Sequence, residues 1–182
     1  MAAPPSAPSA PAVGSSIAAG TFGSLTAAAL SFLLSPPRCG VYQTAAGTFT
    51  TSGTFYAVGF DTEAYDTDSM HSTSSNTSRL TATTSGLYTV LAQIAFASNA
   101  TGIRSVDVRK NAAGNPASGT LLLSERATAV SGVVTTVPVA FDVQLAAGDY
   151  IELFGAQTSG GSLNSSAGVN STFAYMRWVA SS

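Results

Sequence analysis

His71 is the only histidine in the chain, and it stands in a stretch of acids and hydroxyls: Phe60-Asp-Thr-Glu-Ala-Tyr-Asp-Thr-Asp-Ser-Met-His-Ser72. A histidine beside carboxylates and serines is raw material for a Ser-His-Asp arrangement, in which the acid orients the ring and the ring takes the serine proton. No Gly-x-Ser-x-Gly elbow exists to present such a serine, and abundant serine makes proximity cheap. His71, Asp66 and Asp68 therefore read as loop residues with no catalytic role. Replacing them with alanine is expected to change stability by no more than the ~0.5 kcal/mol typical of exposed positions.

Asp61, Glu63, Asp66 and Asp68 are the only acidic cluster, four carboxylates within eight residues. Oxygen ligands at that density are what Ca²⁺ takes, so these four are the calcium candidates, though weak ones. The spacing lacks the glycine turn and distal glutamate of an EF-hand loop, and a solvated loop with Asx-turns is the default reading. Cys39 is the single cysteine, which rules out an intramolecular disulfide. It reads as a buried or half-buried thiol at the start of the first strand. One His and one Cys cannot build a zinc site without carboxylates from several strands. Lys110 is the only lysine, and no glycine-rich phosphate cradle precedes it. Matches to Asn-x-Ser/Thr at Asn76, Asn99, Asn164 and Asn170 arise by chance in so hydroxyl-rich a chain. No enzyme and no cofactor are expected.

The composition narrows the class further. The 182 residues hold 45% hydrophobic but only 9% charged residues, against the roughly 25% charged usual in soluble proteins. The core is amply supplied, and little polar rim is left for a lone monomer. A net charge of −2 gives no basic field for nucleic acid,. No nucleic-acid partner is expected.

The elements that must position these residues are strands. Gly86 to Phe96 alternates with period two: Tyr88, Val90, Ala92, Ile94 and Phe96 fall on one side, Leu87, Thr89, Leu91, Gln93 and Ala95 on the other. The second side is still half apolar, which predicts a cover there and hence a subunit neighbour. Cys39–Gln43 reads as a first strand, and Asp61–Ser78 as a long, partly structured loop. Ile103–Arg109, Leu121–Arg126, Val134–Leu145, Tyr150–Phe154 and Thr172–Val179 read as further strands. Pro138 has no N–H for a ladder and is expected at a bulge or unpaired position. Short strands at regular spacing with turn signals predict an antiparallel sandwich.

Residues 1–37 are a different material, with no Asp, Glu, Lys or Arg; every charge lies from Arg38 onward. Met1–Pro11 is Ala/Pro/Ser-rich and polyproline-like. The apolar run Leu25–Leu34 lacks the basic flank of a signal peptide. It is also short of the ~20 residues a membrane span needs. No membrane partner is expected. Pro36-Pro37 marks a boundary, giving an extended, irregular arm (1–37) and a β-domain (38–182).

Several motifs carry a resemblance. Thr-rich Arg79–Ser85 followed by Gly-Leu-Tyr and the alternating strand, Val106-Asp-Val-Arg-Lys-Asn111, Leu145-Ala-Ala-Gly-Asp-Tyr-Ile-Glu-Leu153 and the closing Phe173–Val179 together resemble the C1q/TNF-like jelly roll over roughly residues 38–182. The Phe60–Ser72 segment is most similar to the variant of bacteriophage virion proteins. The resemblance implies an all-β jelly-roll sandwich and a homotrimer whose inner sheets meet about a threefold axis. Leu87, Leu91, Phe173 and Tyr175 should approach that axis. The function implied is a capsid decoration protein or short head fibre on the outer surface of a virion. The arm would hold the major capsid protein or another virion protein through Ile17, Phe22, Leu25, Leu30, Phe32, Leu33 and Leu34. The alternative is a receptor-binding knob for a host surface glycan or protein. The Ser159–Thr172 loop, however, holds no aromatic side chain to stack on a ligand. A secreted C1q-like protein would be expected to show a signal peptide and often a collagen-like stalk, and neither pattern appears.

Overall fold

The computed structural model describes residues 19–181, so Ile17 lies outside the described residues. The chain divides into two compact units, Met1–Pro36 and Pro37–Ser182. In the first, α1 spans Ala19–Leu34. Over these residues this corrects the expectation of an irregular arm. No proline interrupts residues 12–35, and Ala27-Ala28-Ala29-Leu30 has high intrinsic helix propensity,. The glycines Gly20 and Gly23, each costing about 1 kcal/mol in a helix, mask that propensity in the sequence. The Ser35 N–H still bonds the Ser31 carbonyl at 3.0 Å, and Pro36-Pro37 ends the helix because proline supplies no N–H. No helix among the described residues is long and apolar enough to cross a membrane.

The second unit is all β. Its strands are β1 (Arg38–Tyr42), β2 (Thr48–Phe49), β3 (Tyr56–Ala57), β4 (Thr62–Asp66), β5 (Arg79–Thr81), β6 (Gly86–Phe96), β7 (Ile103–Lys110), β8 (Thr120–Thr128), β9 (Thr135–Leu145), β10 (Tyr150–Gln157), β11 (Leu163–Asn164) and β12 (Phe173–Ala180). One large sheet runs β4-β1-β12-β6-β9; the other runs β3-β10-β7-β8, with β5 also on β10, and β2 and β11 form a short two-stranded sheet of their own. All pairings are antiparallel. The core lies between the sheets. Tyr88, Val90, Ala92, Ile94 and Phe96 of β6 are fully buried, as their alternation predicts, and face Val106, Val108, Ile151 and Leu153 of the second sheet. Within the expected loop 61–78 the structure adds β4, paired to β1.

Pro138 does not sit at a bulge. It keeps register opposite Gln93. Since β9 is an edge strand with one neighbour, a proline whose missing N–H faces the open side costs the ladder nothing.

Two of the motifs meet in space. In Ala146-Ala147-Gly148-Asp149 the Asp149 N–H bonds the Ala146 carbonyl at 3.0 Å. Gly148 holds φ at +92°, the conformation a glycine supplies at the third position of a type II turn. Asn111 Nδ2 donates to Asp149 Oδ1 at 2.8 Å, and the Tyr150 N–H donates to Asn111 Oδ1 at 3.0 Å. The end of β7 is thereby clasped to the start of β10.

Candidate functional site

The outer face of the β4-β1-β12-β6-β9 sheet is where the interface candidates gather. Register places Tyr65, Gly40, Tyr175, Leu91 and Ala140 in one row across five strands. The neighbouring row holds Tyr42, Phe173, Gln93 and Pro138. Leu87, Leu91, Phe173 and Tyr175 all belong to this face. Leu91 is 46% exposed, Tyr65 43% and Val179 49%. With Thr89, Tyr175 and Arg177 these three line an open depression of about 580 Å³.

Gly40 sets the shape of this face. Its backbone lies under two rings, and a Cβ there would sit 2.5 Å from the Tyr175 ring and 3.0 Å from the Tyr65 ring. Without that methyl, Tyr65 and Tyr175 stack across β1, with centroids 6.2 Å apart and planes 16° from parallel. Phe173 adds a third ring 5.0 Å from Tyr175. The Arg38 guanidinium lies 5.6 Å from the Tyr65 ring centre, within cation–π range. Burial raises the Tyr65 phenol above its ordinary pKa, with the Tyr175 phenol adding to it. Tyr65, Gly40 and Val179 are absent from the sequence-derived interface set. Tyr65 was hidden because β4 reads as polar loop. Gly40 carries no side chain to signal its role.

The acidic segment does something else. Asp61 accepts the Thr44 N–H at 2.7 Å, the Ala45 N–H at 2.9 Å, and the Thr44 and Thr62 hydroxyls at 2.9 Å each. Burial pushes its carboxyl up, but these donors outweigh it and hold the pKa below the ordinary range. Asp66 takes the Asp68 N–H at 3.0 Å and the His71 N–H at 2.9 Å. Asp68 Oδ2 accepts the Thr83 hydroxyl. Glu63 Oε1 lies 2.9 Å from His71 Nδ1, while His71 Nε2 lies 3.0 Å from the Thr77 carbonyl. The four calcium candidates thus turn to separate protein donors, and no group of three metal-binding side chains converges among the described residues.

His71 is a correction. Its side chain is fully buried, with an oxygen acceptor at each ring nitrogen, so it is a strut inside the loop. Asp66 and Asp68 are tied as well, so the three are not the free, solvated loop residues that the sequence suggests. Cys39 is a buried thiol, as expected. Burial first, then the Asp66 carboxylate, pushes its pKa far above the ordinary thiol value.

Of the attachment candidates, Phe22, Leu30, Leu33 and Leu34 are exposed on α1, Leu25 is half-buried and Phe32 is buried.

Solved structures share this fold. Eiger TNF from S. frugiperda aligns with a TM-score of 0.60 at 15% identity, covering 80% of this chain and 95% of that one. Murine APRIL aligns at 0.59 and 11% identity, covering 79% and 98%. The globular domain of zebrafish complement 1qA aligns at 0.55 and 13%, covering 80% and 99%. The fold is the C1q/TNF-like jelly roll. No protein-family model and no curated protein matches the sequence.

Proposed function

We propose that the protein is a non-enzymatic, homotrimeric structural component of a bacteriophage particle, a capsid decoration protein or short head fibre whose arm attaches it to the capsid. The observation that carries the trimer is the aromatic and aliphatic face on which Tyr65, Leu91 and Val179 are exposed and Phe173 and Tyr175 half-buried. A contiguous apolar patch of this kind on one sheet face marks an interaction surface. Aromatic residues grouped at its centre are the usual anchors of an interface. A structural role is supported by the acids and the histidine, which serve as ties within the fold.

The virion location rests on the similarity of Phe60–Ser72 to phage virion proteins and on the arm. An uncharged helix exposing Phe22, Leu30, Leu33 and Leu34 gains by burying them on a partner, each worth ~1.5–3 kcal/mol before ordering costs. Three arms per trimer would act together, so that weak single contacts sum to stable attachment. Deletion of residues 1–37 tests this reading. The truncated chain should stay folded and trimeric but fail to bind particles that lack it. Full decoration by the truncated chain would rule the arm out as the anchor.

A further inference from the structure

A second depression, of about 360 Å³, opens between the loop 67–78 and the turn before β10, and Ser69, Ser72, Ser75, Asn76, Arg79 and Tyr150 line it. That size suits a small molecule, and the lining mixes polar side chains with Met70 and the face of the Tyr150 ring. Arg79 is its one arginine. The guanidinium carbon lies 4.3 Å from the centre of the Tyr150 ring. Behind it, Nε approaches Glu152 Oε1 at 3.7 Å, a contact too long for a hydrogen bond. Glu152 is buried and already holds the Ser78 hydroxyl at 2.6 Å and the Gly114 N–H at 3.0 Å. Nε of Arg79 is buried without a hydrogen-bond acceptor. Stacking and the ion pair therefore fix the plane of a guanidinium that is 27% exposed as a side chain and lines the depression.

The opposite wall is fixed too. Asp66 and His71 tie the loop from inside. The Thr81 N–H bonds the Met70 carbonyl at 2.7 Å, and the Arg79 N–H bonds the Asn76 carbonyl at 2.9 Å. Ser72 Oγ accepts the Ser75 N–H at 3.2 Å. The side chains of Ser69, Ser75 and Asn76 are left exposed at the rim.

We propose that this pocket binds a carboxylate-bearing sugar, the Arg79 guanidinium taking the carboxylate as a two-pronged pair and Ser69, Ser75 and Asn76 taking ring hydroxyls. A planar fork matches a carboxylate. A single arginine with a buried acid behind it suits a monoanion better than a phosphate dianion. A pocket fixed in advance loses little entropy on binding. The inference goes beyond the structural role proposed above and needs neither a particle nor the trimer.

Saturation-transfer NMR on the full chain, with galacturonic acid and its neutral counterpart galactose, tests it. Galacturonic acid should bind at least roughly tenfold more tightly, a difference of about 1.4 kcal/mol. Inorganic phosphate at equal concentration should not displace it. Arg79→Lys keeps the charge but loses the fork and should weaken binding. Ser75→Trp, at an exposed position outside the Glu152 cluster, should block it even if Arg79→Lys proves unstable. A tetramer of galacturonic acid binding more tightly than the monomer would identify a polysaccharide as the source; equal binding would identify a free or terminal sugar. Equal transfer to galactose, displacement by phosphate, or binding undiminished in a folded Ser75→Trp variant would overturn the proposal.

Discussion

Gly40, Cys39 and Asp149 each have a consequence that a single substitution or titration can read. At Gly40 an added methyl meets the Tyr175 ring at 2.5 Å. Overpacking of this kind costs roughly 1–3 kcal/mol. Gly40→Ala should lower the melting temperature and part the Tyr65–Tyr175 stack, readable as a change in tyrosine fluorescence. The Cys39 thiol, buried and held far above its ordinary pKa, should not react with a thiol reagent at pH 8 in the folded protein and should react fully in denaturant. Asp149 is held below the ordinary carboxylate range, first by the Asn111 amide and also by the Ala146 N–H and Lys110; Asp61 is held low by the donors around it. A depressed folded-state pKa stabilises above the unfolded value near 3.9, and that share is lost as pH falls through the folded value. Acid titration of the melting temperature should therefore show a loss beginning near pH 4 that is smaller in Asp149→Asn. The chemistry-bearing residues were visible in the sequence, but their employment was not. His71 and Asp66 look solvated because their partners, the Thr77 carbonyl and two backbone N–H groups, carry no side-chain signal.

At the scale of elements, the loop 67–78 and helix α1 are where sequence and structure part. Strands β6, β7 and β9 were legible from the alternation of their side chains, and β10 from the Ala147-Gly148-Asp149 turn that precedes it. The strand β4 was not, because its side chains are half-buried or exposed and so leave no apolar period. In the loop, His71→Ala would leave the Glu63 and Thr77 acceptors without their partner. Removing the buried ring together with these two bonds costs about 1–3 kcal/mol,. Thermal unfolding should show that loss, and a change within about 0.5 kcal/mol, the range for exposed positions, would mean His71 is no strut. Helix α1 is tested by Ala28→Pro, which costs roughly 3 kcal/mol within a helix. Far-ultraviolet circular dichroism should lose its helical component while the β-domain melts unchanged.

For the whole molecule, the sandwich topology and the apolar second side of β6 could be read from the sequence. The aromatic stack at its centre could not, since Tyr65, Gly40 and Tyr175 come from three strands far apart in the chain and are joined by register alone. This face is expected to be closed by two further copies of the chain. A low charge content fits it: 9% charged residues leave few groups to solvate a large apolar face. Multi-angle light scattering of the full chain at micromolar concentration tests the claim most directly. The expected mass is three times the 18.2 kDa of one chain, falling to one chain in Leu91→Glu with the β-domain still folded. A wild-type mass of a single chain, or a Leu91→Glu variant that stays trimeric, would contradict it.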